Sequence, residues 1–257
     1  MRKFISLLLI LSCLLFCLTS CNKSPEKLVA TAMEKTEALD AYEAQLVVDI
    51  EVTVGAEKVD MLTVTDFSIL DATTRNPMLY ADIYMEVMGE TTEAEMYVED
   101  DWVYMLQDGN GYKMSAHEAF DEADDITETF DEYFQDLPES LFKGIKAVKN
   151  KDGSASVTLE IPNEIFEDTF ADIAASVTDS ITEGVDFSDL TYKNAVVEIT
   201  VKDGYVMIFE LAFDLSMRVE GTRVTASVEE KLLLKDWGDS IHLDPMDGYE
   251  DFPLLSE

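Results

Sequence analysis

The chain has 257 residues, of which 54 are Asp or Glu and 18 are Lys or Arg, so its formal net charge is -36. This balance argues against a nucleic-acid binder, because phosphate binding needs a basic face. It also argues against a polybasic attachment to an anionic membrane. Hydrophobic residues make up 47% of the chain, which is enough to build a folded core despite the charge.

The N-terminus has the pattern of a secretory signal peptide. Arg2 and Lys3 precede an apolar stretch over residues 4–18, and residues 18–21 are Leu-Thr-Ser-Cys. These four residues resemble the lipobox of bacterial lipoproteins, a small-residue cleavage site that ends in Cys. The resemblance implies that residues 1–20 are removed and that Cys21 carries a diacyl anchor. A plain signal peptide with a coincidental Cys and a transmembrane helix are the alternatives, and the stretch is slightly short for the helix.

The other two cysteines, Cys13 and Cys17, lie inside the apolar stretch and would be lost on cleavage. A processed chain then has no Cys except Cys21, which excludes disulfides and Cys-based zinc sites. Residues 21–24 are expected to be the lipidated N-terminus and a short tether. Residues 25–257 are expected to form a single domain, because no linker rich in Gly, Ser or Pro divides them.

A helix followed by a meander of strands is predicted for the first part of this domain. Ser24-Pro25 is a good helix start, and apolar residues at helical spacing continue to about Asp40. The hydrophobic period then changes from 3.6 to 2, which indicates half-buried strands. The predicted strands cover residues 44–54, 59–69, 79–87, 94–98, 102–106 and 112–114, with turns at Gly55, Asn76-Pro77, Gly89 and Asp108–Gly111.

Two amphipathic helices interrupt the strands. The first covers residues 116–137, has an acidic polar face and ends at Pro138; the second covers residues 163–182 and ends at Gly184. A pair of strands over 145–149 and 155–161 lies between them. Three long alternating runs follow, over 195–201, 205–217 and 224–234. Glu230 falls on the apolar face of the last run, which predicts a bulge or a polar pocket lining there.

The Asp- and Pro-rich tail, 241–257, is predicted to wrap an edge.

Two segments carry a resemblance to a known fold. A helix runs straight into the first strand from Glu26-Lys27-Leu28-Val29 to Leu39-Asp40-Ala41-Tyr42, and the segment Lys235–Pro245 is like a last strand with a proline-bearing tail. This order resembles the lipoprotein-carrier fold of LolA and LolB, of LppX and LprG, and of similar lipoproteins of Gram-positive bacteria. The resemblance is one of pattern and covers about residues 25–245. It implies an α+β fold, in which a curved antiparallel sheet forms an incomplete β-barrel and helices cover the concave face.

In proteins of that fold the cavity holds acyl chains. The resemblance therefore implies that ligand-binding residues lie at inward strand positions and on the apolar stripes of the two internal helices. The strand candidates are Ile50, Met61, Phe67, Ile83, Met85, Met96, Met105, Phe209 and Phe213. The helix candidates are Phe130, Phe134, Phe166 and Phe170. Most of the 12 methionines are expected at inward strand positions, where flexible side chains suit a varied apolar ligand; an ordinary core that uses Met is the alternative. The two internal helices are either lids that can move away from the cavity or helices that stay packed against the sheet.

No catalytic residue, metal site or cofactor is predicted. The acidic runs lack the spacing of a calcium loop and are expected to be solvated faces. His117 and His242 are far apart in sequence, and no nucleophile elbow, phosphate loop or paired-metal spacing occurs. The sequence therefore favours a protein that is not an enzyme.

Two functions remain open. The first is a lipoprotein anchored through Cys21 to the extracytoplasmic face of the bacterial cell membrane, which binds an acyl chain or another lipid without catalysis. The second is a structural, interaction or sensor lipoprotein with a filled core and no small ligand. The second function predicts an exposed apolar patch on the outer face of the sheet, where Tyr80, Tyr84 and Met88 could start one. The sequence names no protein partner and argues against nucleic acid.

Overall fold

A computed structural model describes residues 24–74, 76–116, 139–169, 178, 187–219, 221–243 and 245–255. The helices are α1 (Pro25–Glu37), α2 (Asn163–Thr169) and two short 3₁₀ helices, Glu139–Phe142 and Tyr249–Asp251. The strands are β1 (Ala41–Val54), β2 (Glu57–Leu70), β3 (Met78–Val87), β4 (Glu90–Glu99), β5 (Trp102–Gln107), β6 (Asn110–Ser115), β7 (Val148–Lys149), β8 (Ala155–Glu160), β9 (Phe187–Lys202), β10 (Tyr205–Val219) and β11 (Thr222–Trp237). Among these residues, no helix is long and apolar enough to cross a membrane.

All these strands belong to one antiparallel sheet, in the order β6-β5-β4-β3-β2-β1-β11-β10-β9-β8-β7. The chain makes a meander from β1 to β6 and a second one from β7 to β11. The pairing of β1 with β11, from Tyr42↔Trp237 to Val54↔Val224, joins the two halves. Within the described residues the edge strands β6 and β7 do not pair with each other, so the curved sheet stays open. This confirms the predicted α+β class with an incomplete barrel.

The two faces of the sheet differ because successive side chains of a strand point to opposite sides. In β1, Ala44, Ile50 and Val52 are buried, whereas Asp49 and Glu51 are exposed. The strand register carries the same alternation across the neighbouring strands. The face that holds the buried apolar residues is called the inner face here, and the opposite one the outer face.

Helix α1 packs on the inner face against β9 and β10. Its start is capped, since the backbone N–H of Lys27 donates to the Ser24 hydroxyl at 3.4 Å, and Pro25 suits the first turn of a helix. It contributes three buried residues to the core that the strands build: Val29, Ala32 and Met33. Near its end, the backbone N–H of Val206 donates to the Thr36 hydroxyl at 2.9 Å. This bond fixes the helix to the beginning of β10.

Helix α2 covers the first part of the predicted helix 163–182, and Thr178 is also helical. Phe166 of α2 is fully buried, with ring centroids 4.9 Å from Phe213 and 5.2 Å from Tyr192. The predicted helix 116–137 falls outside the described residues, except for its first residue. Phe130, Phe134 and Phe170 also lie outside them.

The predicted bulge at Glu230 is absent. The register runs without a shift through Val48↔Glu230 and Leu211↔Glu230, so Glu230 keeps its inward position. Its side chain is buried, with 6% exposure. The second interpretation of this residue, a polar group on the lining of the inner face, matches the structure. Register shifts occur elsewhere, for example between Glu43 and Ala44 and between Val206 and Ile208.

The tail after β11 crosses to the outer face of β4 and β5, which confirms that it wraps part of the sheet. Met246 is buried there with Tyr97 and Tyr104. The Tyr249 ring meets these two tyrosine rings edge-on, with centroid distances of 4.9 and 4.8 Å. The tail thus closes an aromatic cluster on the outer face.

The end of the tail runs beside the edge strand β6. The backbone N–H of Lys113 donates to the Pro253 carbonyl, and the N–H of Leu255 donates to the Lys113 carbonyl, both at 2.8 Å. A sheet edge exposes unpaired backbone groups that invite association with other chains. The tail satisfies part of this edge from within the same molecule.

Candidate functional site

The inner face is closed at one end of the β1–β6 half. Tyr42 of β1 starts a row of directly opposed residues that continues across the next strands. Four residues of this row are at most 4% exposed: Ile69, Leu79, Val98 and Val103. The side chains of the protein itself therefore fill this end.

Exposure rises along the same strands towards the turns at Gly55 and Gly89. Met61 and Ile83 are partly buried, Met85 is 36% exposed and Val87 is 41% exposed. The register places five partly covered apolar residues of β2–β5 in neighbouring rows of this face, and we call this set the methionine patch: Met61, Ile83, Met85, Met96 and Met105. In the described part of the chain, these side chains remain open to a ligand on the inner face, as do the neighbouring Val54, Val59 and Val87.

The structure divides the predicted ligand-binding residues into two groups. Five of them lie in the buried core: Ile50, Phe67, Phe166, Phe209 and Phe213. The other five described ones are the members of the methionine patch. All ten are on the inner side of the sheet, and the remaining three lie outside the described residues. A ligand could reach the second group directly and the first group only after side chains move.

Four polar side chains, which the sequence analysis did not propose as site residues, lie within or beside the patch. Thr63 is opposite Met85, Thr92 is opposite Met85 on its other side, and Thr65 is opposite Ile83. Gln107 pairs with Ala94 on the same face. All four are partly buried. Alternation alone places Thr63 and Thr65 on this face, but a β-branched Thr also suits any strand, so the pattern gave no functional signal.

No Lys or Arg lies on the inner face of β1–β6 and β11, whose described inward positions are mostly apolar. The buried carboxyl group there is that of Glu230, two strands away from Thr63 across Val48. The lysines of these strands point outward. Lys58 pairs with Glu51 at 2.6 Å, Lys231 pairs with Glu210 at 2.9 Å, and Lys235 pairs with Asp66.

The outer face is strongly acidic. One groove of about 570 Å³ is lined by residues that include Asp49, Glu51, Asp60, Glu86 and Glu229. No group of His, Cys, Asp or Glu in the described parts of the chain has an arrangement that could hold a metal ion. Of the two histidines, His242 is exposed and His117 lies outside the described residues.

The outer aromatic residues are engaged by the protein itself. Tyr80 packs against the cluster of Tyr97, Tyr104, Met246 and Tyr249, called the tail cluster here. Its hydroxyl lies 3.0 Å from Asp82 and 3.1 Å from Glu95, and these two carboxylates share its single proton as acceptors. The Tyr84 hydroxyl donates to Glu86 at 2.9 Å. Met88 is 73% exposed, but it lies at the β3–β4 turn. These three residues therefore do not form the continuous apolar patch that an interaction module would present.

Burial and nearby carboxylates shift the pKa values of the tyrosines in the tail cluster. Burial, followed by the charge of Glu99, raises the pKa of Tyr97. Burial and the hydrogen bond that its hydroxyl donates to Glu99, at 3.0 Å, raise the pKa of Tyr249. The folded cluster therefore favours the neutral, protonated form of these tyrosines.

A match to a family model shows the family of this chain. A family model described as a family of unknown function, DUF6612, matches residues 24–233. The chain belongs to DUF6612. No curated protein matches the chain by sequence. The matched residues include α1, the methionine patch and most of β11, so the family model covers the candidate site.

Solved structures resemble the chain in architecture. The chain is similar to LprF from Mycobacterium bovis, with 11% identity and a TM-score of 0.39 over 86% of this chain and 95% of that one. It is also similar to a DUF1329 family protein from Desulfovibrio piger, with 9% identity and a TM-score of 0.27 over 83% and 92% of the two chains. A structure of lipid–protein interactions in lipovitellin matches at 7% identity and a TM-score of 0.38, over 80% of this chain and 26% of that chain.

Proposed function

We propose that this DUF6612 protein is a membrane-anchored extracytoplasmic lipoprotein that binds a hydrophobic ligand, an acyl chain or lipid, against its inner face without chemical conversion. The observation that carries the proposal is the methionine patch. Its apolar side chains are partly open, whereas the adjoining row of the same face is closed by the protein's own core.

The energetics suit such a ligand. Covering an alkyl chain contributes about 0.8 kcal/mol per CH₂ group, so ten groups contribute about 8 kcal/mol before the cost of ordering the ligand is subtracted. Methionine side chains adapt their shape at little cost. The patch can therefore hold chains of differing length without a dedicated hydrogen bond.

The proposed anchor would keep the domain close to the bilayer. Helix α1 begins at Pro25, so residues 22–24 alone separate it from Cys21. An extended chain spans at most about 3.3–3.6 Å per residue, which limits this tether to roughly 10–14 Å. A diacyl group can hold an acidic domain at the surface despite electrostatic repulsion.

The test of ligand binding is native mass spectrometry of residues 21–257 carrying Cys21→Ser, purified without detergent and then extracted with organic solvent. Because Cys21 is replaced, any lipid found is not the anchor. We expect an added mass that extracts as lipid. Met85→Asp, which puts a charge on the patch, should reduce its occupancy. Thr91→Asp adds the same charge at an exposed position opposite Glu86 on the outer face, and it should not. A chain that carries no lipid and takes up none when a fatty acid or a monoacylglycerol is added would contradict the proposal.

The test of anchoring is metabolic labelling with a radioactive fatty acid in a bacterial host. We expect the label and the membrane location to be lost in Cys21→Ser and kept in Cys17→Ser, since Cys17 lies in the segment that is removed. Label that persists in Cys21→Ser would refute the anchor at this residue.

A further inference from the structure

Four polar side chains of the inner face, Thr63, Thr65, Thr92 and Gln107, lie among or beside the residues of the methionine patch. Strands lie about 4.8 Å apart and alternate residues of one strand about 6.7 Å apart. Thr63, Thr65 and Thr92 therefore fall within about 12 Å of one another, given their positions opposite Met85 and Ile83. Together with Gln107, they offer hydroxyl and amide groups that both donate and accept hydrogen bonds.

Positive charge is missing from the same surroundings. The inner face of β1–β6 and β11 has no Lys or Arg within the described residues. Apart from Thr178, the structure does not describe two long internal stretches, 117–138 and 170–186, and these contain no Lys or Arg in their sequence. Wherever these stretches lie, they bring no ammonium or guanidinium group to a ligand.

An anionic head group would consequently be poorly stabilised. A charge taken out of water is costly unless an opposite charge and hydrogen bonds compensate for it. Here the charged side chains at inward positions are carboxylates: the buried Glu230, about 10 Å from Thr63 across Val48, and the exposed Glu57 and Glu90 at the strand ends. An uncharged head group needs only hydrogen bonds, and the threonine hydroxyls and the Gln107 amide can supply them.

We infer that the ligand is an uncharged amphiphile, whose alkyl chain covers the methionine patch and whose hydroxyl- or amide-bearing head group hydrogen-bonds to Thr63 and Thr92, which flank Met85. Thr65 and Gln107 are further polar partners on the same face. This inference rests on the proposed function and adds the ligand's charge class. It excludes free fatty acids and anionic phospholipids as the preferred ligands.

The experiment compares three amphiphiles with the same chain length: monolaurin, laurate and dodecylamine. Their binding to residues 21–257 carrying Cys21→Ser is measured by calorimetry at pH 8, below their micellar concentrations, in 0.15 M and 1 M NaCl. We expect laurate to bind at least about tenfold more weakly than monolaurin. The preference should persist at 1 M salt, where the Debye length is about 3 Å, because repulsion from the net charge of the whole chain is then screened.

Two pairs of variants test whether the preference for an uncharged head group arises on the inner face. Met85→Lys puts a cation on the patch and should strengthen laurate binding about tenfold, whereas Thr91→Lys adds the same charge on the outer face and should not. Thr63→Val keeps the side-chain shape but removes the hydroxyl, so it should weaken monolaurin several-fold, and Thr91→Val should leave it unchanged.

The outcomes separate the two proposals. Laurate or dodecylamine binding as tightly as monolaurin in 1 M salt would overturn this inference and leave the proposed function standing. If none of the three amphiphiles bound to a folded chain, the proposed function would fail, and this inference with it.

Discussion

Gly111 on β6 has no space for a larger side chain. A Cβ atom built there would lie 2.5 Å from two ring atoms of Phe252 in the tail. The missing side chain thus forms a notch that receives Phe252, while Lys113, two residues further on, pairs with the tail backbone. The tail is held by shape as well as by hydrogen bonds.

Gly111→Ala should therefore displace Phe252 and destabilise the chain by about 1–3 kcal/mol, the usual cost of overpacking. Urea denaturation gives the free energy of unfolding, and limited proteolysis reports whether the tail is released. In a chain that already carries Phe252→Ala, the same substitution should cost much less, because the clash is gone. Equal costs in the two backgrounds would show that the notch is not the cause.

At the scale of single residues, the sequence predicted the apolar part of the candidate site but not its polar part. Inward positions follow from alternation, so Met61, Met85 and Phe209 were placed on one face before their strands could be paired. Alternation does not tell which of them stay open, because that depends on neighbours from distant strands. Thr63 and Thr92 become a group only once β2, β3 and β4 are aligned.

One side chain, that of Thr36, connects helix α1 to strand β10. The Thr36 hydroxyl accepts a hydrogen bond from the Val206 N–H and donates one to the Ala32 carbonyl at 2.8 Å. Thr31 makes the same kind of bond to the carbonyl four residues earlier, that of Lys27, but it is exposed. The two threonines form a matched pair on one helix.

We expect Thr36→Val to lower the free energy of unfolding by about 1–3 kcal/mol, because it leaves a partly buried backbone N–H without its acceptor. Thr31→Val removes a hydroxyl from the same helix without affecting the sheet, and it should change stability by less than about 0.5 kcal/mol. Chemical denaturation of both variants checks this. Similar losses in the two would mean that Thr36 does not fix the helix to β10.

The tyrosines around the tail should make the stability of the fold sensitive to alkaline pH. Burial raises the pKa of Tyr97, Tyr104 and Tyr249 above the ordinary value of 10. The unfolded chain then loses these protons at lower pH than the folded chain does, so the stability they contribute is complete below about pH 10 and is lost as the pH rises further. Tyrosinate absorbance and circular dichroism, followed from pH 8 to 12.5, should show late ionisation coupled to unfolding. Full ionisation of every tyrosine near pH 10 in a folded chain would contradict this.

Element positions were largely predictable because each strand has one buried face, whereas sheet order was not. Period-two alternation located β1, β2, β3, β10 and β11 to within a few residues. Nothing in that local pattern tells that β1 lies beside β11. The tail was predicted to wrap an edge, but its partners on β4, β5 and β6 depend on contacts more than 100 residues apart in sequence.

The charge of the whole molecule predicts how its stability depends on salt. A net charge of -36 opposes the compact state through self-repulsion, and added salt screens this repulsion. The ion pairs that the structure describes are exposed, so each contributes little that salt could remove. Repulsion should dominate the response.

The melting temperature should therefore rise as NaCl is increased from 10 mM to 0.5 M. Differential scanning calorimetry measures this, and choline chloride should give a similar rise, since screening does not depend on the identity of the cation. A melting temperature that falls with salt would show that attractive pairs outweigh the repulsion. A rise with NaCl alone would indicate specific binding of sodium.

The pairing of β1 with β11 makes the last long strand the neighbour of the first one. During synthesis, each residue of β1 emerges 170–195 residues before its partner in β11, so one long edge of β1 stays unpaired until the chain is nearly complete. Pairings between such distant segments also form slowly. A ribosome that stops before residue 222 consequently releases a chain that lacks the middle of its sheet rather than an end, with two half-sheets that have no shared strand to join them.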